Sequence, residues 1–213
     1  MCFNWQVSLL TFVIGCVLSI ILAKYGNPKY KFENHIGGIF FTLVQFMDFI
    51  FWIDLDNAMG LNKLMTLIGP GLVIGQPIWV YIIKIMVSNL NVLDLSNFTN
   101  FNGAILALNI CYFIYLFNNY IQFIKHGTLT TKPKHGHLSW AWKNYFNYHY
   151  YLIVLTVNMF YLTNFNYSMI WFIISYLLLF LSYKFFNYNV GELWCFFGAF
   201  EPGIIYLLTK YLL

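Results

Sequence analysis

The sequence predicts an all-α polytopic membrane bundle of seven helices, and three observations lead there. Of 213 residues only 8% are charged and 61% are hydrophobic, whereas soluble domains carry about 25% charge. Apolar stretches near the ~20 residues that cross hydrocarbon recur along the whole length, which leaves no room for a separate soluble domain. The third observation is a repeated pattern: Gln76-Pro77-Ile78-Trp79-Val80-Tyr81 with Lys84 behind it, and Glu201-Pro202-Gly203-Ile204-Ile205-Tyr206 with Lys210 behind it. Each sets a polar side chain directly before a proline, near the middle of a span. A helix running through Pro77 leaves the Val73 carbonyl without a donor, and Pro202 does the same to Gly198. Hydrocarbon offers no water to replace it, so these stretches are expected against protein or at a wet cavity. Two ordinary proline kinks packed on neighbouring helices meet the same requirement.

Read in order, the spans fall at residues 7–24, 36–53, 64–86, 102–124, 146–162, 167–186 and 191–212. The first has no basic leader and no small-residue cleavage site, so it reads as a retained helix. The second carries Gln45, Asp48 and Trp52 on one face. The third holds Gln76 and Pro77, the fourth Asn109, the fifth Asn158 and the last Glu201 and Pro202. Upstream of the fifth span, Trp140-Ala141-Trp142-Lys143-Asn144-Tyr145 reads as an interfacial belt, as do Tyr148, His149, Tyr150 and Tyr151. An odd number of crossings puts the termini on opposite sides. The amino terminus, the 54–63 turn, the 125–144 connection and the 187–190 turn then share one side, called the first side below. Six lysines lie there and five on the other side. That balance decides nothing, but the first helix is followed and not preceded by lysines, which favours an external or lumenal amino terminus.

Because the Gln-Pro and Glu-Pro patterns fall in spans three and seven, spans one to three and five to seven read as a parallel 3+1+3 repeat joined by span four. This architecture resembles that of SWEET-type transporters, whose substrate sites lie at the repeat interface near the midplane. That family's proline-glutamine motif belongs to the first helix of each repeat, whereas here the order is reversed and the position is the third helix.

A second resemblance rests on Met1-Cys2-Phe3-Asn4-Trp5-Gln6-Val7-Ser8, on Gln45-Phe46-Met47-Asp48-Phe49-Ile50-Phe51-Trp52 and on Gly191-Glu192-Leu193-Trp194-Cys195-Phe196. These stretches resemble an uncharacterised multi-pass membrane-protein family common in giant viruses and protists. The resemblance implies topology and origin and brings no activity with it. Basic residues that are all lysine, together with heavy use of Asn, Tyr, Phe and Ile, fit an AT-rich genome.

Function is read from the polar residues inside the spans. Asp48, Gln76, Asn158 and Glu201 fall within a few turns of the midplane, where a carboxylate costs about 2.5 to 3.5 kcal/mol on insertion scales. No arginine is present and the lysines lie near helix ends, so protonation, a hydrogen bond to Gln76 or Asn158, or a bound cation must stabilise the two acids. The functional reading is an ion or substrate pathway made by Asp48, Gln76, Glu201, Gln45 and Asn158, with helix breaks at Pro77 and Pro202. The bland reading is a polar cluster that fastens helices, the role also expected of Asn109. Trp52, Trp79 and Trp194 are alternative lining residues for a sugar-like or cationic ligand. Asp54, Asp56 and Glu192 read as solvated rim residues, or as a weak cation vestibule.

Other functions find little footing. Lysines scattered over both helix ends make no nucleic-acid stripe. His126, His135, His137 and His149 lack the spacing and the cysteine partners of a zinc site, so no metal or cofactor is expected. Serine, cysteine and histidine show no nucleophile and base arrangement, and no enzyme is expected. Cys16 and Cys111 read as small buried hydrophobes. Cys2 and Cys195 fall on the same side, and a contact between the chain start and the last span is expected. The sequence thus points to a small transporter or channel passing protons, cations or a small polar solute. The alternative is a non-transporting viral or organelle membrane component that organises lipid or partner proteins.

Overall fold

The computed structural model describes residues 4–28, 31–88, 100–134, 137–162, 165–185 and 196–211. Over these the chain is predominantly helical. In order it forms α1 (Trp5–Tyr25), α2 (Lys31–Ile53), α3 (Leu61–Val73), α4 (Gln76–Ser88), α5 (Asn100–His126), β1 (Lys132–Lys134), β2 (His137–Ser139), α6 (Tyr148–Leu162), α7 (Phe165–Phe185) and α8 (Glu201–Tyr211). Asn4 starts α1 by accepting the Val7 N–H at 2.9 Å on its side chain, a standard way to satisfy a free amide at a helix start.

Three helical stretches among the described residues are long and apolar enough to cross a membrane: Trp5–Tyr25, Gly103–His126 and Phe165–Lys184. The third expected span is a bent pair, Leu61–Val73 followed by Gln76–Ile83, with 59° between the two axes. With that pair counted as one span, helix length and composition among the described residues deliver up to four of the expected seven crossings. α6 has 15 residues and α8 has 11, about 22 and 17 Å at 1.5 Å per residue, short of a ~30 Å hydrocarbon core.

The prolines act differently from the expectation. Pro77 and Pro202 do not interrupt continuing helices; each is the second residue of a helix that begins at the polar residue before it. In a first turn the missing N–H has no intrahelical partner to lose, so proline is tolerated there. The chain turns before Pro77: the Ile74 and Gly75 amides both donate to the Pro70 carbonyl, at 2.8 and 3.0 Å. A Cβ at Gly75 would sit 2.2 Å from the Gly71 carbonyl oxygen, so this turn requires glycine. Ahead of Pro202 the chain also turns, with the Phe200 amide donating to Phe197 at 3.0 Å and the Gly203 amide to Phe200 at 3.1 Å.

Packing follows from small residues at crossings. α1 packs on α2 and α8, and an added Cβ at Gly15 would lie 2.8 Å from Thr42 Oγ1 and 3.3 Å from the Ala199 carbonyl. Gly203 approaches Leu18 in the same way, at 3.0 Å. α4 packs on α6, α6 on α7, and α7 on α8. The shared core includes Met47, Phe51, Ile74, Tyr112, Trp142 and Val154. Leu10, Ile20, Phe113, Ile173 and Phe180 point outward and are exposed, which suits a surface bathed in lipid.

Between α5 and α6 lies a feature that an all-α reading does not contain. β1 and β2 pair antiparallel with Lys132 opposite Ser139. The tryptophans that follow are no interfacial belt: Trp140 and Trp142 are buried and stack on each other, centroids 5.4 Å apart and planes 17° from parallel. Tyr151, expected in a belt, is buried as well, whereas His149 is exposed. The expected contact of Cys2 with Cys195, together with Trp194, Glu192 and His135, lies outside the described residues.

Candidate functional site

A broken helix leaves carbonyls without intrahelical donors, and in an apolar medium side chains must supply them. At the α3–α4 turn two side chains do so for backbone carbonyls, and two more bonds fasten the start of α4. Trp79 Nε1 donates to the Gly71 carbonyl at 3.0 Å and the Tyr112 hydroxyl to the Ile74 carbonyl at 2.8 Å. Asn158 Nδ2 donates to the Pro77 carbonyl at 2.9 Å, and the Tyr151 hydroxyl donates to Gln76 Oε1 at 2.5 Å. Asn158 and Asn109 also exchange a reciprocal pair of amide bonds, at 2.8 and 3.0 Å. This cluster ties α4 to α5 and α6. Asn158 is thus bound into the helix framework on both its donor and its acceptor side, as Asn109 is.

The carboxylates lie elsewhere. Neither hydrogen-bonds to Gln76 or Asn158. Asp48, fully buried, accepts from Trp140 Nε1 at 2.9 Å. Glu201, also fully buried, accepts from the Ser175 hydroxyl of α7 on Oε1 at 2.7 Å. Its other oxygen, Oε2, is buried and has no hydrogen-bond partner among the described residues. The same is true of Gln76 Nε2 and of both polar atoms of Gln45. Gln45 stands on α2, which packs against both α4 and α8, the helices that Gln76 and Glu201 begin. Native interiors satisfy nearly all such atoms, and each exception calls for an explanation, such as a bound water or ion or a functional role. The sequence-predicted residues therefore divide in two: Asp48 and Asn158 are engaged with protein, while Gln45, Gln76 and Glu201 keep unused hydrogen-bonding capacity.

Asp54, expected as a solvated rim residue, is 1% exposed. Its carboxylate accepts the Met59 and Asn62 amides, each at 2.9 Å, at the start of α3. Burial works against its ionised form, but the backbone donors from Met59, Asn62, Leu61 and Ala58 outweigh that and hold the carboxyl below the usual range. Asn62 in turn holds Thr131 through its Nδ2 and Oδ1, at 2.9 and 2.8 Å. Asp56 is exposed.

A groove of about 400 Å³ opens at the α3–α4 bend, lined by Leu67, Gly71, Trp79, Phe113, Phe117 and Tyr120 among others. It is almost wholly apolar and touches none of Gln45, Gln76 and Glu201, so it offers no route to a polar solute. Trp79, at its edge, spends its N–H on Gly71.

Sequence reasoning missed Trp140, Tyr112, Tyr151 and Ser175. A tryptophan or tyrosine beside lysine and asparagine reads the same at a membrane interface as inside a protein. A lone serine in a span carries no signal of its partner. The chain matches no protein-family model, and neither a curated protein nor a solved structure is significantly similar to it. Three helices long and apolar enough to cross a bilayer support an integral membrane protein.

Proposed function

We propose that this chain is a small multi-pass transporter or channel that passes protons, cations or a small polar solute along Gln45, Gln76 and Glu201. The observation that carries the reading is Glu201: a carboxyl buried in the bundle, one oxygen bonded to Ser175 and the other left with capacity for a ligand or a proton. Intramembrane acids of this kind are expensive, and functional pathways are where they are found. Seven crossings in a 3+1+3 arrangement remain the architecture that suits it. Exchanging α1 with α6, α2 with α7 and α4 with α8 turns the α1–α2 packing into α6–α7, α2–α4 into α7–α8, and α4–α6 into α8–α1, and all six packings occur. That partial correspondence supports an internal duplication, although the α2–α8 packing has no α7–α4 counterpart of similar extent among the described residues.

The alternative, a viral or organelle membrane component that organises lipid or partner proteins, draws on the reciprocal Asn109–Asn158 pair and on the Asp48–Trp140 bond. In that reading the polar groups only fasten helices. Glu201→Gln in proteoliposomes separates the two, because it keeps shape and removes the ionisable group. Loss of flux at unchanged thermal stability supports transport. A stable variant whose flux equals that of an active wild-type preparation refutes it.

A further inference from the structure

The segment from β2 onward packs as if it belonged to the spans. Leu138, Trp140, Trp142 and Phe146 are all buried, though they lie in a connection between helices. Three anchors hold this stretch. Trp140 Nε1 donates to Asp48 on α2. Trp142 lies on Gly69 of α3, whose absent Cβ would fall 2.2 Å from the ring, and against Phe51 of α2 at 6.1 Å between centroids. Upstream, Thr131 is clasped by Asn62 and Thr66.

Along α2, Trp52, Asp48 and Gln45 succeed one another on one face from the first-side end inward, three or four residues apart. Trp140 therefore covers the outer part of this polar face at Asp48. One turn deeper stands Gln45, fully buried, with its amide unpartnered among the described residues. Trp142, by contrast, leaves its own Nε1 without a partner among the described residues, so it contributes packing where Trp140 contributes a bond.

We propose that the segment 137–147 is a gate over the Gln45, Gln76 and Glu201 site. Trp140 is a tethered occupant of the Asp48 carboxylate, and a cation or a solute bearing N–H donors competes with it for that carboxylate. Release of Trp140 opens the first-side approach to Gln45. The inference rests on the transport reading for its purpose, and its test does not depend on flux.

The measurement is the rate at which a membrane-impermeant cationic methanethiosulfonate, added on the first side of sealed vesicles, labels Gln45→Cys. Parent chains without Gln45→Cys give the background from the native cysteines. With Trp140 intact, labelling is expected to be slow. Trp140→Phe keeps an aromatic side chain and removes the Nε1 donor to the buried Asp48 carboxyl, and is expected to speed labelling by about tenfold or more. Trp142→Phe, which removes no hydrogen bond, leaves the rate unchanged. Equal rates in the Trp140→Phe and intact backgrounds, with melting curves showing both folded, overturn the gate. Equal acceleration by Trp142→Phe overturns it too, since loosened packing then suffices. Faster labelling in Trp140→Phe alone supports the gate, and transport is tested separately by flux in the chain that keeps Gln45.

Discussion

Replacing Asn158 with alanine removes two bonds to Asn109 and one to the Pro77 carbonyl, made at 2.8, 3.0 and 2.9 Å. Asn158 is fully buried and Asn109 nearly so, so no bulk water replaces what is lost. Interhelical hydrogen bonds in membranes contribute about 0.6 to 2 kcal/mol each. Three of them, with partial relaxation, put the expected loss at about 2 to 5 kcal/mol. Asn109→Ala loses the reciprocal pair and a bond within its own helix to the Ile105 carbonyl, whose backbone donor remains, and it keeps the Asn158–Pro77 bond, so its expected loss is smaller. A double-mutant cycle isolates the pair, with an expected coupling of about 1 to 3 kcal/mol. The assay is reversible unfolding in lipid or mild detergent, followed by tryptophan fluorescence. A loss below about 0.5 kcal/mol for Asn158→Ala, or zero coupling, refutes the reasoning that this amide cluster fastens α4, α5 and α6 together.

Asp54 gives a pH dependence of known sign. Its folded-state carboxyl titrates below the usual range, so its stabilisation is fully present above the unfolded value near pH 4 and is lost as pH falls through the folded value. Melting temperatures of the wild type should therefore exceed those of Asp54→Asn at neutral pH and converge with them in acid; a constant gap down to about pH 2 would contradict this. Gly69→Ala drives a Cβ into the Trp142 ring, and overpacking of this kind costs about 1 to 3 kcal/mol. A thermal shift assay reads it, and partial rescue is expected when Trp142 is made smaller in the same chain. Tags on the two termini, tested by protease in sealed vesicles, should differ in access if the crossings are odd in number; equal access would remove one crossing, with the 15-residue α6 the first to be re-examined.

The parts of the fold that were legible in the sequence are those decided by local composition. α1, α5 and α7 are continuous apolar helices, and solvent preference alone identifies them. The breaks in the third and last spans were legible to within a few residues, since Gln-Pro and Glu-Pro mark them. Their form was not, because the turn is made by Ile74 and Gly75 ahead of the proline, and the proline merely starts the next helix. Of the candidate site, the polar residues were legible and their partners were not. Midplane position singled out Asp48, Gln76, Asn158 and Glu201, and a face shared with Asp48 added Gln45, but the partners that Asp48 and Asn158 engage are long-range. Trp140 lies 92 residues from Asp48, and Asn109 lies 49 from Asn158. No periodicity or propensity encodes such pairs. The hairpin was missed for the same reason, as two three-residue strands rich in lysine and histidine have no pattern to detect.

The central claim is that Glu201 is the ionisable group of a pathway and not a buried fastening. A hydrophobic carbodiimide, which reaches carboxyls from the lipid phase and converts them to neutral adducts, tests it directly in proteoliposomes. The adduct is located by mass spectrometry and flux is measured on the same sample. The account expects modification at Glu201, flux falling in proportion to it, protection by the transported ion, and no effect on whatever residual flux Glu201→Gln retains. Stoichiometric modification of Glu201 with flux unchanged would contradict it.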